Sequence, residues 1–195
     1  MRRNEAFFQR LYTNVSGEQP RIGLMKPIDK KQLLVVWHSR TGAAQQMAQA
    51  AMKGAQDVAT ELESMDSLNI VVKQATQVDA TDLLDADGFV FCAPENLASL
   101  SGAMKEFFDR NYYAVLDQLN GRPYAIMISA GSDGSGAARQ AERICTGWRL
   151  RLIAPALIVN TDAQTPQAIT APKTITVDDS TACETLGGTL AALLL

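Results

Sequence analysis

The block Leu33-Leu34-Val35-Val36-Trp37 constrains this chain more than any other feature of its sequence. It is continuously apolar, partly β-branched and short. Such a block suits a strand covered on both faces, as in a parallel sheet. The polar turn His38-Ser39-Arg40-Thr41-Gly42 follows it. Beyond the turn, Ala44, Met47, Ala48, Ala51, Met52 and Ala55 recur at helical spacing, with Gln45, Gln46, Gln49 and Lys53 on the opposite side. The unit is therefore strand, turn, helix. A helix N-terminus leaves backbone amides unpaired and carries positive dipole charge, so this turn is a natural seat for a phosphate. Ser39 and Thr41 bring hydroxyls, and Gly42 lets the backbone come close. An ordinary βα turn with a hydroxyl cap reads the same way at this point.

The same alternation continues along the chain. Ile70-Val71-Val72 forms a weak second strand, and Asp79, Thr81 and Asp82 open a short helical or turn segment holding Leu83 and Leu84. A third strand, Gly88 to Cys92, ends at Ala93-Pro94. The loop Glu95 to Ser101 leads into a helix whose Leu100, Ala103, Met104, Phe107 and Phe108 share a face. The fourth strand is Tyr124 to Ser129. It runs into Gly131-Ser132-Asp133-Gly134-Ser135-Gly136 and a helix aligning Ala137, Ala141, Ile144, Cys145 and Trp148. Leu150 to Val159 supplies a fifth strand, in which Pro155 marks an irregularity or an interruption. Asn160 to Thr176 reads as a polar loop, and Asp178-Asp179-Ser180-Thr181 as the cap of a last helix ending at Ala191-Ala192-Leu193.

Repeated strand-helix alternation predicts an α/β fold, a five-stranded parallel sheet with helices on both faces in three layers. At 195 residues and 47% hydrophobic, the chain buries one sizeable core. We read residues 1–31 as an N-terminal extension and residues 32–195 as the domain. The extension holds a short helix around Ala6, Phe7, Phe8, Leu11 and Tyr12, and is either an arm lying across the domain or a neighbouring subunit, or a tail. A net charge of -3 and a pI near 5.2 argue against nucleic acid or an anionic membrane as partner. Cys92, Cys145 and Cys183 are far apart, which suggests a reduced compartment and no zinc site. No run approaches the roughly 18 apolar residues of a membrane span, and no apolar signal core follows Arg2 and Arg3. The expectation is a cytoplasmic protein.

In a doubly wound sheet, ligands sit beyond the carboxyl ends of the strands. The loops after the first, third and fourth strands carry the unusual chemistry, and all three open at that edge. The string GxxxxGK[ST] does not occur. Gly131, Gly134 and Gly136 have the reverse of the GxGxxG spacing and follow the wrong strand. A phosphoacceptor domain would need a carboxylate where Cys92-Ala93-Pro94 stands.

Ser39-x-Thr41-Gly42 resembles the phosphate loop S/T-x-T-G-N-T of the flavodoxin-like FMN proteins. Asp87 to Pro94, continued through Leu100-Ser101-Gly102-Ala103-Met104-Lys105-x-Phe107-Phe108-Asp109-Arg110, is similar to that family's D-x-(apolar)-G-x-P … M-S-G-x-(M/L)-K-x-F-x-D segment. Gly121 to Tyr124 and Gly131 to Gly136 resemble its third flavin-contacting loop. The resemblance runs from residue 33 to about 159 and is strongest to the branch holding WrbA-type NAD(P)H:quinone oxidoreductases and NADPH-dependent FMN reductases. It implies a flavodoxin-like three-layer sandwich binding FMN, with NAD(P)H as electron donor and a quinone or similar small molecule as acceptor. The assembly expected is a homodimer or homotetramer, a choice the sequence leaves open.

Carried over position by position, the resemblance gives Ser39, Arg40, Thr41, Gly42, Ala43 and Ala44 to the FMN phosphate. Pro94, Glu95, Asn96, Leu97 and Ala98 would line the isoalloxazine ring. Ser129, Ala130, Gly131, Ser132 and Asp133 would bracket its pyrimidine end or the ribityl chain. The chain departs from the pattern in three ways. Ala43 and Ala44 replace Asn and Thr, which removes side-chain donors but keeps backbone ones. The loop Glu95-Asn96-Leu97-Ala98 replaces a Thr-Arg-Phe-Gly type, so an aromatic wall is missing. Glu95 brings a carboxylate beside a ring that becomes anionic on reduction, which disfavours reduction unless Glu95 points away.

Flavin chemistry belongs to the cofactor, so no protein acid or base is required. The backbone amides of Gly131 to Gly134 are the candidate donors to the reduced ring, and the small loop residues Leu97-Ala98-Ser99 would leave it open to nicotinamide or quinone. His38, the single histidine, is a weak catalytic candidate and more often a structural residue at a strand end. Tyr112 and Tyr113 suit helix packing first, with reach to a neighbouring subunit's flavin or proton donation to quinone as the alternatives. Trp37, Trp148 and Cys92 read as packing residues. Two alternatives stay open: a flavodoxin-type electron carrier that docks to redox partners, and a flavin-free structural module.

Overall fold

The computed structural model describes residues 30–195. The expected arm and its helix near Phe7 lie outside the described residues. Three long parallel strands form the centre of the sheet: β1 (Lys31–Trp37), β3 (Gly88–Asn96) and β5 (Pro123–Ala130). β2 (Leu68–Gln74) lies at one edge, and β6 (Arg151–Leu152) and β7 (Leu157–Asn160) at the other. The order is β2-β1-β3-β5-β6, with β7 also pairing with β5 and a two-residue β4 (Ser99–Leu100) pairing with β3. This is the expected flavodoxin-like parallel sheet, extended by short strands.

Alternate residues of each central strand enter opposite layers, which is why the strands read as unbroken apolar runs. Leu33, Val35, Val90, Cys92, Ala125 and Met127 pack beneath α1 (Ala43–Glu61) and α6 (Val177–Leu194). On the other face, Leu34, Val36, Phe89, Phe91, Tyr124 and Ile126 pack beneath α2 (Ala80–Asp85), α3 (Gly102–Asn111) and α4 (Ser135–Gly147). Phe91, Phe107, Phe108 and Trp148 form an aromatic cluster with ring centroids 5.0–6.5 Å apart. Trp37 and Trp148 are packing residues, as expected.

The interruption expected at Pro155 is seen, and three other local expectations need correction. The fifth strand is two pieces flanking Pro155, because proline lacks the amide that a continuous ladder to β5 requires. The stretch 160–176 contains a short helix, α5 (Pro166–Thr170), with Thr165 accepting from the Ala168 amide and proline in the first turn. The last helix is capped by Thr176, with Asp179 returning the bond at its third position, so the cap lies before Asp178. Tyr112 and Tyr113 do not pack into the core. They stand exposed after α3, edge to face at 5.2 Å. Among the described residues no helix is long and apolar enough to cross a membrane.

Candidate functional site

The loops after β1, β3 and β5 lie side by side along the carboxyl edge of the sheet. The chain reverses its direction of travel between β1 and β3, the crevice where such sheets bind ligands. The first loop turns at Gly42, whose φ of 98° is the left-handed region that favours glycine. Its amide donates to Ser39 Oγ at 3.0 Å. Among the described residues the amides of Ser39, Arg40, Thr41, Ala43, Ala44 and Gln45 have no protein acceptor, and the first helical bond runs from Gln46 to the Gly42 carbonyl. Ala43 and Ala44 are buried. No side chain caps α1, and its first turn holds no carboxylate. The replacement of Asn and Thr by alanine therefore leaves a cradle built from main chain alone, with an uncompensated positive helix end.

The opposite arrangement holds at α4. The carboxylate of Glu95 accepts from the amides of Gly134 at 2.8 Å and Ala137 at 3.2 Å, so this helix end is neutralised from within the protein. Glu95 thus faces the helix and not the loop edge, the orientation under which it leaves a reduced flavin unopposed. The same contact corrects the donor assignment. The Gly134 amide is occupied, and of the proposed set those of Gly131, Ser132 and Asp133 remain without a protein acceptor among the described residues. Ser129 and Ala130 are the buried end of β5, and Ala130 accepts from the amide and hydroxyl of Thr161. They form the base of the loop, and the part open at the edge starts at Gly131.

The second loop is a hairpin. β3 runs on through Pro94 and Glu95 to Asn96, and Leu97 and Ala98 turn the chain with φ of 52° and 57° before β4. Two non-glycine residues in the left-handed region cost about 1 kcal/mol or more each, so the surroundings must hold them. Three contacts do so. Gln140 Oε1 accepts from the Leu100 amide and the Ser99 hydroxyl, both at 2.7 Å. Glu95 binds α4. Gly136 allows the close approach, since a Cβ there would lie 2.3 Å from the Ala98 carbonyl oxygen. Leu97 at the tip is fully exposed.

His38 sits between the first two loops, with Nδ1 at 2.8 Å from Ser101 Oγ. Burial and the neighbouring Arg40 lower its pKa, so the neutral imidazole is favoured. Arg40 is exposed beside the turn. Cys92 is buried with its thiol on the Ala44 carbonyl, and burial raises its pKa far above the thiol range, which is the packing role expected.

Sequence reasoning missed a fourth contributor. Gln46 donates to the carbonyls of Gly42 at 3.1 Å and Lys173 at 2.7 Å and accepts from the Ile175 amide at 3.3 Å. The Lys173 amide in turn donates to Thr41 O at 2.7 Å. The segment after α5 is thereby stapled to the turn at Thr41-Gly42. Gln46 offered no signal beyond its place on the polar side of an amphipathic helix, because Lys173 and Ile175 lie more than a hundred residues away.

The candidate site is thus an edge of three loops, one an uncompensated amide cradle and one a docked hairpin. The sequence model of the NADPH-dependent FMN reductase family matches residues 34–164, and the chain belongs to that family. It is 28% identical over 104 residues to a flavodoxin of Aquifex aeolicus, covering 53% of this chain and 52% of that one. It is 27% identical over 119 residues to an Arabidopsis thaliana protein named probable NAD(P)H dehydrogenase (quinone) FQR1-like 2, covering 53% and 44%. The chain spans about half the length of the curated relatives it matches. Among solved structures it resembles an archaeal flavodoxin (TM-score 0.64, 18% identity, 84% of this chain and 98% of that one). It also resembles the flavodoxin WrbA-like protein of Agrobacterium tumefaciens (TM-score 0.63, 14% identity, 85% and 98%). These two likenesses show the fold, and family membership indicates FMN as the cofactor class.

Proposed function

We propose that the chain is an FMN-dependent NAD(P)H oxidoreductase that passes a hydride through FMN to a quinone or similar small acceptor. The observation that carries this reading is the contrast between two helix ends on one edge. The α4 end is closed by Glu95, whereas the α1 end has neither a cap nor an internal carboxylate. A phosphate dianion supplies the missing charge and acceptors. In this reading Ser39, Arg40, Thr41, Gly42, Ala43 and Ala44 hold the phosphate, with the Gln45 amide beside them. Pro94, Asn96, Leu97 and Ala98 flank the ring, and Gly131, Ser132 and Asp133 face its polar rim. Bound FMN would supply two-electron chemistry between nicotinamide and acceptor.

The protein's own residues position and expose. Gly136, Gln140 and Glu95 hold the hairpin still, so the ring edge meets a fixed wall. Without an aromatic wall, the open hairpin supports access by a nicotinamide or a quinone rather than shielding of a stored electron. His38 serves as a positioning residue through Ser101, at the start of α3. We place the cofactor domain at residues 32–195. The exposed Tyr112, Tyr113 and Leu116 support self-association as a homodimer or homotetramer. Purified protein mixed with FMN, NADPH and benzoquinone tests the activity. The expected result is quinone-dependent NADPH oxidation above the rate of free FMN. Tight FMN binding with no oxidation would overturn the enzyme reading in favour of an electron carrier.

A further inference from the structure

We infer that the hairpin tip and the groove between α3 and α4 together dock an acidic helix of a partner protein, with Arg139 and Arg143 pairing with its carboxylates and Leu97 seated on its apolar side. The groove has a volume of about 480 Å³ and is lined by Lys105, Gly136, Arg139, Gln140, Arg143 and Ile144. Three of these are cations and none is acidic, in a chain of net charge -3. Arg139 and Arg143 lie one turn apart on α4 and share a face. Both are exposed, and among the described residues neither makes an ion pair, although Arg110 pairs with Glu106 and Arg149 with Asp117. Lys105 is held by Asp109 at 2.6 Å, and Glu142 lies beside Arg143 in the chain without pairing to it. The two guanidinium groups are thus the uncompensated charge of the groove.

An apolar anchor stands beside that charge. Leu97 is fully exposed at the tip of the hairpin, and the next residue, Ala98, abuts Gly136 at the head of the groove. A lone exposed leucine is ordinary. This one is carried on a turn already held still by Gln140, which accepts from Ser99 and Leu100, so little order is lost when a partner covers it. From Gly136 the arginines continue the line along α4 for roughly 10 Å at the helical rise per residue. A preorganised apolar anchor followed by two uncompensated arginines has the make-up of an interface centre. The spacing of the arginines selects the partner. Carboxylates one turn apart on a helix are separated by about 6 Å, as the arginines are, and each planar guanidinium fork binds two carboxylate oxygens at once. Nucleic acid calls for a broad basic surface, which a pI near 5.2 opposes. Docking needs no bound flavin, but because the same hairpin would flank the ring, a docked protein stands at the ring's entrance.

Fluorescence anisotropy on the whole chain tests the inference. The probe is a dye-labelled amphipathic helical peptide with glutamates one turn apart beside a leucine stripe. It is compared with the same peptide carrying glutamines and with a labelled single-stranded oligonucleotide. The glutamate peptide should bind at least about tenfold tighter than the glutamine peptide at about 20 mM salt and lose most of that margin at about 300 mM. Arg139→Gln/Arg143→Gln should remove the margin, and Leu97→Ser should weaken both peptides. Arg149→Gln, on a guanidinium already paired with Asp117, should change neither. All three variants alter exposed side chains and should keep the wild-type Tm, so a loss reads the surface and not the fold. Equal affinity of the two peptides would overturn the inference, as would a margin that survives in the double variant or binding indifferent to Leu97→Ser. An equal loss in Arg149→Gln would overturn it by showing unspecific charge attraction. An oligonucleotide bound as tightly as the glutamate peptide would overturn it in favour of a nucleic-acid face.

Discussion

The Gly134 amide donates to Oε2 of Glu95 at 2.8 Å, and this bond joins the hairpin after β3 to the helix after β5. A second bond from Ala137 makes the carboxylate the N-terminal cap of α4. One side chain thus fixes the geometry between two loops of the candidate site and keeps its own charge on the helix. Replacing Glu95 by Ala removes both acceptors and should cost about 1–2 kcal/mol, or a fall in Tm of roughly 2–8 °C. Glu95→Gln keeps one oxygen and should lose less. Thermal unfolding of both variants checks this, and a wild-type Tm for Glu95→Ala would contradict the capping role.

Gly136→Ala puts a methyl group 2.3 Å from the Ala98 carbonyl, so backbone must move. Overpacking of this kind costs about 1–3 kcal/mol and should pull the hairpin off α4. FMN affinity is expected to fall together with Tm. Gly147→Ala on the same helix meets nothing within 4 Å and should be neutral or slightly stabilising. Equal effects of the two substitutions in parallel melts and FMN titrations would contradict the close-approach argument.

The central strands were legible because both their faces are buried, which makes a strand such as Leu33–Trp37 an uninterrupted apolar run. The first loop was legible as well, since hydroxyls and a glycine between strand and helix have local consequences. The hairpin was not. Its turn residues are Leu97 and Ala98, where a tight turn of this type ordinarily carries Asn-Gly, and it is stabilised by Gln140 and Gly136 from a distant helix. The role of Glu95 was invisible for the same reason. A carboxylate in a proposed ring loop gives no sign that its acceptors serve amides 39 and 42 residues onward. Pro155 signalled that the fifth strand is irregular, but which halves pair with β5 depends on register.

Gln46 holds the segment after α5 against the turn at Gly42 by three hydrogen bonds. Gln46→Leu keeps the helix and much of the side-chain volume but loses the staple. FMN affinity should drop by roughly tenfold, the equivalent of one to two net hydrogen bonds, with a smaller effect on riboflavin. Fluorescence titration of both flavins reads the outcome. An unchanged FMN affinity would show that the staple does not position the turn.

His38 should make stability depend on pH. Its pKa is lowered from the ordinary 6.5 in the folded protein by burial first and by Arg40 second. Around and below 6.5 the unfolded chain therefore binds more protons than the folded one, so stability rises with pH there. The contribution is complete above the unfolded value and is lost as pH falls through the lowered folded value. Urea unfolding between about pH 7.5 and 5.5 should show a shallower pH slope in His38→Gln than in wild type. A steeper slope in the variant would contradict the assignment.

The free amides at the head of α1 are expected to hold a phosphate. The most direct measurement compares FMN with riboflavin, which lacks only that group, by fluorescence titration of the purified protein. Two charge-assisted hydrogen bonds are worth roughly 3 kcal/mol or more, so FMN should bind at least about 100-fold tighter. Equal affinity for the two flavins, or quenching of neither, would contradict it.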